Sequence, residues 1–93
     1  MEPTDTPFRN GENAVRRIDD VVFVMNPDTS ELHSFKGIGG RIWELSDGSH
    51  TVQAITGVIV DEYEVERETA ERDVLEFLQE LQAKDLIRLE PSA

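Results

Sequence analysis

Residues 69 to 89 read TAERDVLEFLQELQAKDLIRL, the longest segment of the chain in which apolar side chains recur at helical spacing. At about 100° per residue, Ala70, Phe77, Leu78 and Leu81 fall within roughly 60° of Val74, so one helix face is apolar. Leu75 lies about 100° round from Val74 and widens the apolar sector to roughly 160°, against the ~100° stripe of a helix packed on one neighbour. The extra width fits either a second buried neighbour or the edge of a groove kept for a partner. Leu86-Ile87-Arg88-Leu89 then extends the helix into a short strand or a final core plug.

Working backwards, Thr51 is a good N-cap for a second helix whose inner face holds Val52, Ile55, Ile59 and Tyr63. Gly57 weakens that helix, which points to a close helix crossing there. Val65 precedes the third helix as a staple against Ala70, with Glu66 at the cap position. A short first helix carries Ile38, Ile42 and Leu45 at i, i+4 and i+7, begins near Gly39 or Gly40, and stops at Asp47-Gly48. Trp43, the single tryptophan, reads as a core anchor whose N–H reaches a polar partner.

Ahead of the helices, Val21 to Met25 is apolar at every position, as in a strand covered on both faces. Asn26-Pro27-Asp28-Thr29-Ser30 supplies turn chemistry, and Glu31 to Phe35 forms the second arm of a hairpin. Val15 to Ile18 is a candidate first strand. Residues 1–13, with two prolines, a glycine and a lone Phe8, show no period and read as a mobile arm before a domain spanning 14–90. The fold class is α+β and winged helix-turn-helix-like: a small antiparallel sheet of two or three strands followed by a three-helix bundle.

Ninety-three residues make one domain, with room for one core and no deep cleft. Cysteine is absent, which removes disulfides and thiolate chemistry, and without an apolar h-region the expected address is cytoplasmic. No apolar run approaches the ~20 residues of a membrane span. Nine Lys and Arg face twenty Asp and Glu, a net charge of −11. Such a surface repels phosphate and anionic lipid and attracts basic partners, or serves as a solvated face.

His33 and His50 stand in different elements without paired-ligand spacing, so neither a metal site nor a catalytic base is expected. Ser34 and Ser49 lack a nucleophile elbow, and Gly37-Ile38-Gly39-Gly40 lacks the Lys and Ser/Thr of a phosphate loop. Neither enzyme chemistry nor a cofactor is expected. A winged helix raises nucleic-acid binding, but a recognition helix needs basic side chains, and the third helix presents Glu68, Glu71, Asp73, Glu76 and Glu80. A peptide partner remains. If the second hairpin strand is a sheet edge, Leu32 to Phe35 can pair with an added strand. Val74, Phe77 and Leu81, or Leu75 on the opposite edge, would then receive anchoring side chains, unless Phe77 and Leu81 are ordinary core.

Three runs in this order resemble the PqqD family of coenzyme PQQ biosynthesis and the related recognition elements for ribosomally made, modified peptides. They are NPDTSELHSF from Asn26, GGRIWELSDG from Gly39, and DVLEFLQEL from Asp73 followed by Asp85-Leu86-Ile87. The resemblance covers roughly residues 14–89. It departs at Lys36-Gly37, where members commonly carry Leu-Asn, and at Asp85, where a Gly is common.

The resemblance implies a non-catalytic peptide chaperone that binds a precursor's leader as an added strand and presents it to a modifying enzyme, in PQQ synthesis a radical SAM protein. Carried over by position, Glu31, Leu32, His33, Ser34 and Phe35 pair with the leader, and Asp73, Val74, Phe77 and Leu81 line the groove. The expected partners are the leader and the modifying enzyme, with neither nucleic acid nor membrane, for a monomer or weak homodimer. With DNA opposed by charge and catalytic groups missing, the excess apolar width of the third helix reads as half of a peptide groove. The rival classes are a winged-helix transcriptional or nucleic-acid-associated regulator and an acidic adaptor for a basic protein.

Overall fold

The computed structural model describes residues 1–10 and 13–91. In chain order its elements are β1 (Thr6–Arg9), β2 (Ala14–Ile18), β3 (Val21–Met25), β4 (Leu32–Lys36), α1 (Ile38–Leu45), α2 (Val52–Tyr63), α3 (Arg67–Ala83) and β5 (Ile87–Glu90). The expected α+β architecture is present: a three-stranded antiparallel sheet, β2-β3-β4, precedes three helices. A second, two-stranded sheet joins β1 to β5.

Pleating sorts the three-stranded sheet into two faces. Val22, Val24 and Phe35 point inward and are buried. Register places Val15 opposite Val24 and Arg17 opposite Val22 on that same side. The other face carries Ala14-Met25-Leu32, Arg16-Phe23-Ser34 and Ile18-Val21-Lys36 in three rows across the strands. Asp19, at φ 55, turns β2 into β3, and Ser30, at φ 59, closes the β3–β4 loop, where Ser30 N donates to Asn26 O at 2.8 Å. The strand β4 begins at Leu32, so Glu31 belongs to the loop instead of the expected strand.

The core lies where the inner sheet face meets the helices, with Ile42, Trp43, Ile55, Ile59, Val74, Leu78 and Leu81 at its centre. Gly40 sets how closely α1 approaches the sheet. A Cβ there would lie 2.9 Å from both Phe35 O and Val22 Cγ2. Thr51 caps α2 as expected, its Oγ1 accepting from Ala54 N at 3.0 Å. Arg41 Nε and Nη2 donate to Glu62 Oε1 and Oε2 at 2.8 and 2.9 Å, clasping α1 to α2. This forked bond holds the Glu62 carboxyl below its usual range and raises the Arg41 guanidinium.

Several expectations differ from the structure. Within the stretch read as a mobile arm, residues 6–9 form β1, although two prolines and a single aromatic offer no strand period. Their partner β5 lies some eighty residues away in sequence. Arg9 Nη1 donates to Trp43 O and Glu44 O at 3.0 and 3.1 Å, answering carbonyls at the end of α1. Pro3 O and Asp5 O accept from Gln53 N and Val52 N, both at 2.9 Å, so residues 1–10 pack with the domain. Of the remaining arm, residues 11 and 12 lie outside the described residues. Among the described residues, nothing beyond its own stretch of helix lies within 4 Å of where a Gly57 Cβ would sit, so the glycine does not mark the close crossing expected. Glu66 occupies the cap position of α3 without a side-chain bond to the helix. Trp43 is buried, yet its Nε1 has no hydrogen-bond partner among the described residues.

The third helix ends in a Schellman turn. Leu86 N donates to Leu81 O at 2.9 Å and Asp85 N to Gln82 O at 3.0 Å, with Asp85 left-handed at φ 59. Asn10 Nδ2 donates to Asp85 O and Oδ1 at 3.2 and 3.1 Å, linking the N-terminal segment to that turn.

Candidate functional site

The strand β4 pairs with β3 on one side and has no strand on the other among the described residues. Which main-chain groups face the open side follows from the ladder. Asn26 N donates to Glu31 O and Gly37 N to Asp20 O, both at 2.9 Å. Both pairs share the register of Val24 with His33 and Val22 with Phe35. Because alternate antiparallel pairs exchange hydrogen bonds, Glu31, His33, Phe35 and Gly37 direct their main-chain groups at the β3 side. Leu32, Ser34 and Lys36 direct theirs at the open edge. Three donors and three acceptors are thus spaced as an incoming strand requires.

The floor beside that edge is aromatic. Phe35, on the inner face of β4, is buried, and His33 stacks near it with ring centroids 6.3 Å apart and planes 6° from parallel. Phe77 of α3 meets Phe35 edge-on, with centroids 5.3 Å apart and planes at 87°. Gly39 makes room for the Phe77 ring: a Cβ there would stand 3.0 Å from Cε1 and 3.1 Å from Cζ. Phe77 keeps part of its surface open and packs on the margin of the core.

The residues singled out in the sequence separate accordingly. Leu32, Ser34 and Phe35 lie on β4 with His33, whereas Glu31 is in the loop, its Oε2 3.6 Å from His33 Nε2. Phe77 faces the aromatic floor, and Asp73, one turn earlier and half-buried, shares its flank. Val74 and Leu81 are fully buried, both at 0% exposure, so their side chains offer nothing to a ligand. They sit squarely on the core-facing stripe, while Phe77 sits at its border. Leu75, the residue that widened the apolar sector, borders a depression on the opposite flank with Met1, Pro3, Val52 and Thr56. The two margins of the apolar sector thus face different surroundings, Phe77 the β4 side and Leu75 this separate depression. Two residues at the edge and floor escaped the sequence reading. The alternation of the ladder identifies Lys36, and the glycine required opposite a large ring identifies Gly39.

Between α1 and α2, Asp47 Oδ1 accepts from Ser49 N at 2.9 Å, Ser49 Oγ at 2.6 Å and pairs with His50 Nδ1 at 3.0 Å. Burial acts to raise the Asp47 carboxyl, but the Ser49 and His50 bonds outweigh it and hold it far below the usual carboxylate range. The cluster braces the loop and lies away from the open edge. Among the described residues, no group of His, Cys, Asp and Glu is arranged to hold a metal ion. No described helix is long and apolar enough to cross a membrane.

Residues 22–87, more than half of the chain, match the family model of PqqD, coenzyme PQQ synthesis protein D. The chain belongs to the PqqD family. The matched region starts in β3 and runs to the first residue of β5, so it contains the open edge, α1 and α3. Among solved structures, "TbiB1 in Complex with the TbiA(beta) Leader Peptide" is similar at 32% identity and a TM-score of 0.78, covering 92% of this chain and 98% of that one. "Lasso peptide synthetase B1 complexed with the leader peptide" is similar in fold at 20% identity and a TM-score of 0.78, covering 89% and 98%. No curated protein matches significantly.

Proposed function

We propose that this PqqD-family protein is a non-catalytic peptide chaperone of the cytoplasm. It binds the leader of a ribosomally made precursor, of PQQ type or of another modified-peptide class. It then presents that precursor to a modifying enzyme such as a radical SAM protein. The observation that carries this reading is the β4 edge, open among the described residues, beside the partly buried Phe77. The similarity to a structure described as TbiB1 with a leader peptide supports it. The leader adds as a strand on Leu32, Ser34 and Lys36, whose main-chain bonds are indifferent to side-chain identity. Specificity comes from side chains seated over Phe35, His33 and Phe77, with Asp73 at the rim. The acidity of α3 opposes the nucleic-acid alternative, because each carboxylate beside a phosphate backbone weakens binding.

The test is a titration of the isotopically labelled protein with the leader of the precursor encoded beside it, followed by NMR. Amide shifts concentrated in residues 32–36, 39 and 73–77 are expected. Saturable binding whose shifts map to α2 and leave β4 unchanged would remove the strand-addition model.

A further inference from the structure

The sheet's outer face, away from the core, is apolar and open. Ile18, Met25 and Leu32 are exposed to 52%, 44% and 65%, around a central Phe23 in a shallow depression. Charge on this face is the reverse of the rest of the molecule. In a chain with twenty acids against nine bases, the rows crossing β2, β3 and β4 hold Arg16 and Lys36 and no carboxylate.

We propose that this face, enlarged by a bound leader strand, is the docking surface for the precursor's modifying enzyme, whose matching surface is an apolar patch bordered by acidic side chains. The inference rests on the leader-binding reading above. Three features select that occupant. Two copies packed face to face would bring Arg16 and Lys36 of both together without a carboxylate between them, which disfavours self-association. The acid-free, basic-edged patch complements an acidic rim. The patch is also continuous with the leader edge, because Leu32, Ser34 and Lys36 turn their side chains to this face and their main-chain groups to the leader.

Dimensions add a coupling. Three strands ~4.8 Å apart and five residues long at ~3.3 Å cover roughly 240 Å². That footprint is small against the ~800 Å² per partner of a standard interface. A leader on β4 adds a fourth strand, enlarges the footprint by about a third, and sends alternate side chains to the same face. The enzyme therefore meets a composite surface and favours the leader-loaded protein over the empty one. By linkage, the enzyme tightens leader binding by the same factor.

The experiment uses the full chain, the leader peptide and the modifying enzyme encoded beside it, with affinities measured by calorimetry. Arg16→Glu and Ile18→Asp both lie on β2, two strands from the leader edge, at exposed positions. Each is expected to leave leader affinity unchanged and to weaken the enzyme about tenfold, because each sets a carboxylate against the partner's acidic rim. Wild-type protein is expected to bind the enzyme more tightly with leader present. Unchanged enzyme affinity in both variants, with leader binding intact, overturns the docking face. Wild-type self-association that either variant abolishes also overturns it, by assigning the face to a second copy. Failure of the wild type to bind leader at all is the separate result that removes the leader reading, and the composite surface with it.

Discussion

Gly39→Ala separates peptide binding from folding. The added Cβ stands 3.0 Å from Phe77 Cε1, short of the ~3.5–4.0 Å of a relaxed carbon contact, so the ring must move by roughly 0.5–1 Å. Phe77 borders the groove and can tilt outward, giving up part of an edge-on contact with Phe35 worth ~0.5–1.5 kcal/mol. Replacing Gly by Ala within a helix returns up to ~1 kcal/mol, so the two contributions offset each other and stability changes by less than ~1 kcal/mol. The displaced ring then occupies space a leader side chain needs. Leader affinity should fall about tenfold, or ~1.4 kcal/mol.

Gly40→Ala is the control. Its Cβ meets the Phe35 carbonyl and Val22 Cγ2 at 2.9 Å, and neither a sheet backbone nor a buried valine can tilt aside. That variant should lose ~1–3 kcal/mol of stability through overpacking. Urea denaturation and calorimetry with the leader peptide measure both quantities. If Gly39→Ala binds leader as wild type does while retaining its stability, Phe77 is not part of the groove floor. If it unfolds as readily as Gly40→Ala, the ring is core that cannot yield.

Ser34→Pro removes one donor from the open edge and spares the β3 ladder, so circular dichroism should show an intact fold. Leader affinity should drop about three- to tenfold, one net hydrogen bond's contribution; a leader Kd equal to wild type's would place the peptide elsewhere. Asp47 has a depressed folded-state pKa, so its contribution to stability is complete above the unfolded value of ~3.9 and is lost as pH falls through the lower folded value. Thermal melts should show Asp47→Asn losing stability relative to wild type near pH 7, the difference narrowing below about pH 4; a constant difference across that range refutes the assignment. Asp85→Gly relieves a left-handed residue and keeps the Asn10 bond to the main-chain oxygen. It should raise stability by ~0.5–1 kcal/mol and the Tm by ~2–8 °C; a lower Tm would mean that the Asn10 side-chain bond outweighs the backbone strain.

Periodicity and punctuation made much of the scaffold legible. The apolar stripe of Ala70, Val74, Leu78 and Leu81, the Thr51 cap and the β-branched run at Val21 are local signals, and each element stands where they place it, to within a residue or two. They also lead to the α+β class, since strands followed by three helices admit few ways to bury one core. The charge balance is equally a property of the sequence, and it opposes nucleic acid without any coordinates.

What only tertiary structure decided was which residues at the margins of those stripes face whom. Phe77 and Leu75 flank the same apolar sector, about 60° and 100° from Val74 on opposite sides, and these angles do not say what each margin meets. Leu75 borders a depression shared with Met1 and Pro3, whereas Phe77 packs on Phe35 of β4 and is not completely covered by the described residues. Likewise, β1 has no period of its own, because its conformation is imposed by pairing with a strand at the far end of the chain. The direction of each β4 amide depends on the ladder made with β3, a non-local pairing. The open edge beside a half-covered aromatic is therefore a consequence of assembly: local side-chain chemistry specifies what can be buried, and only the packed chain leaves a particular edge unpaired.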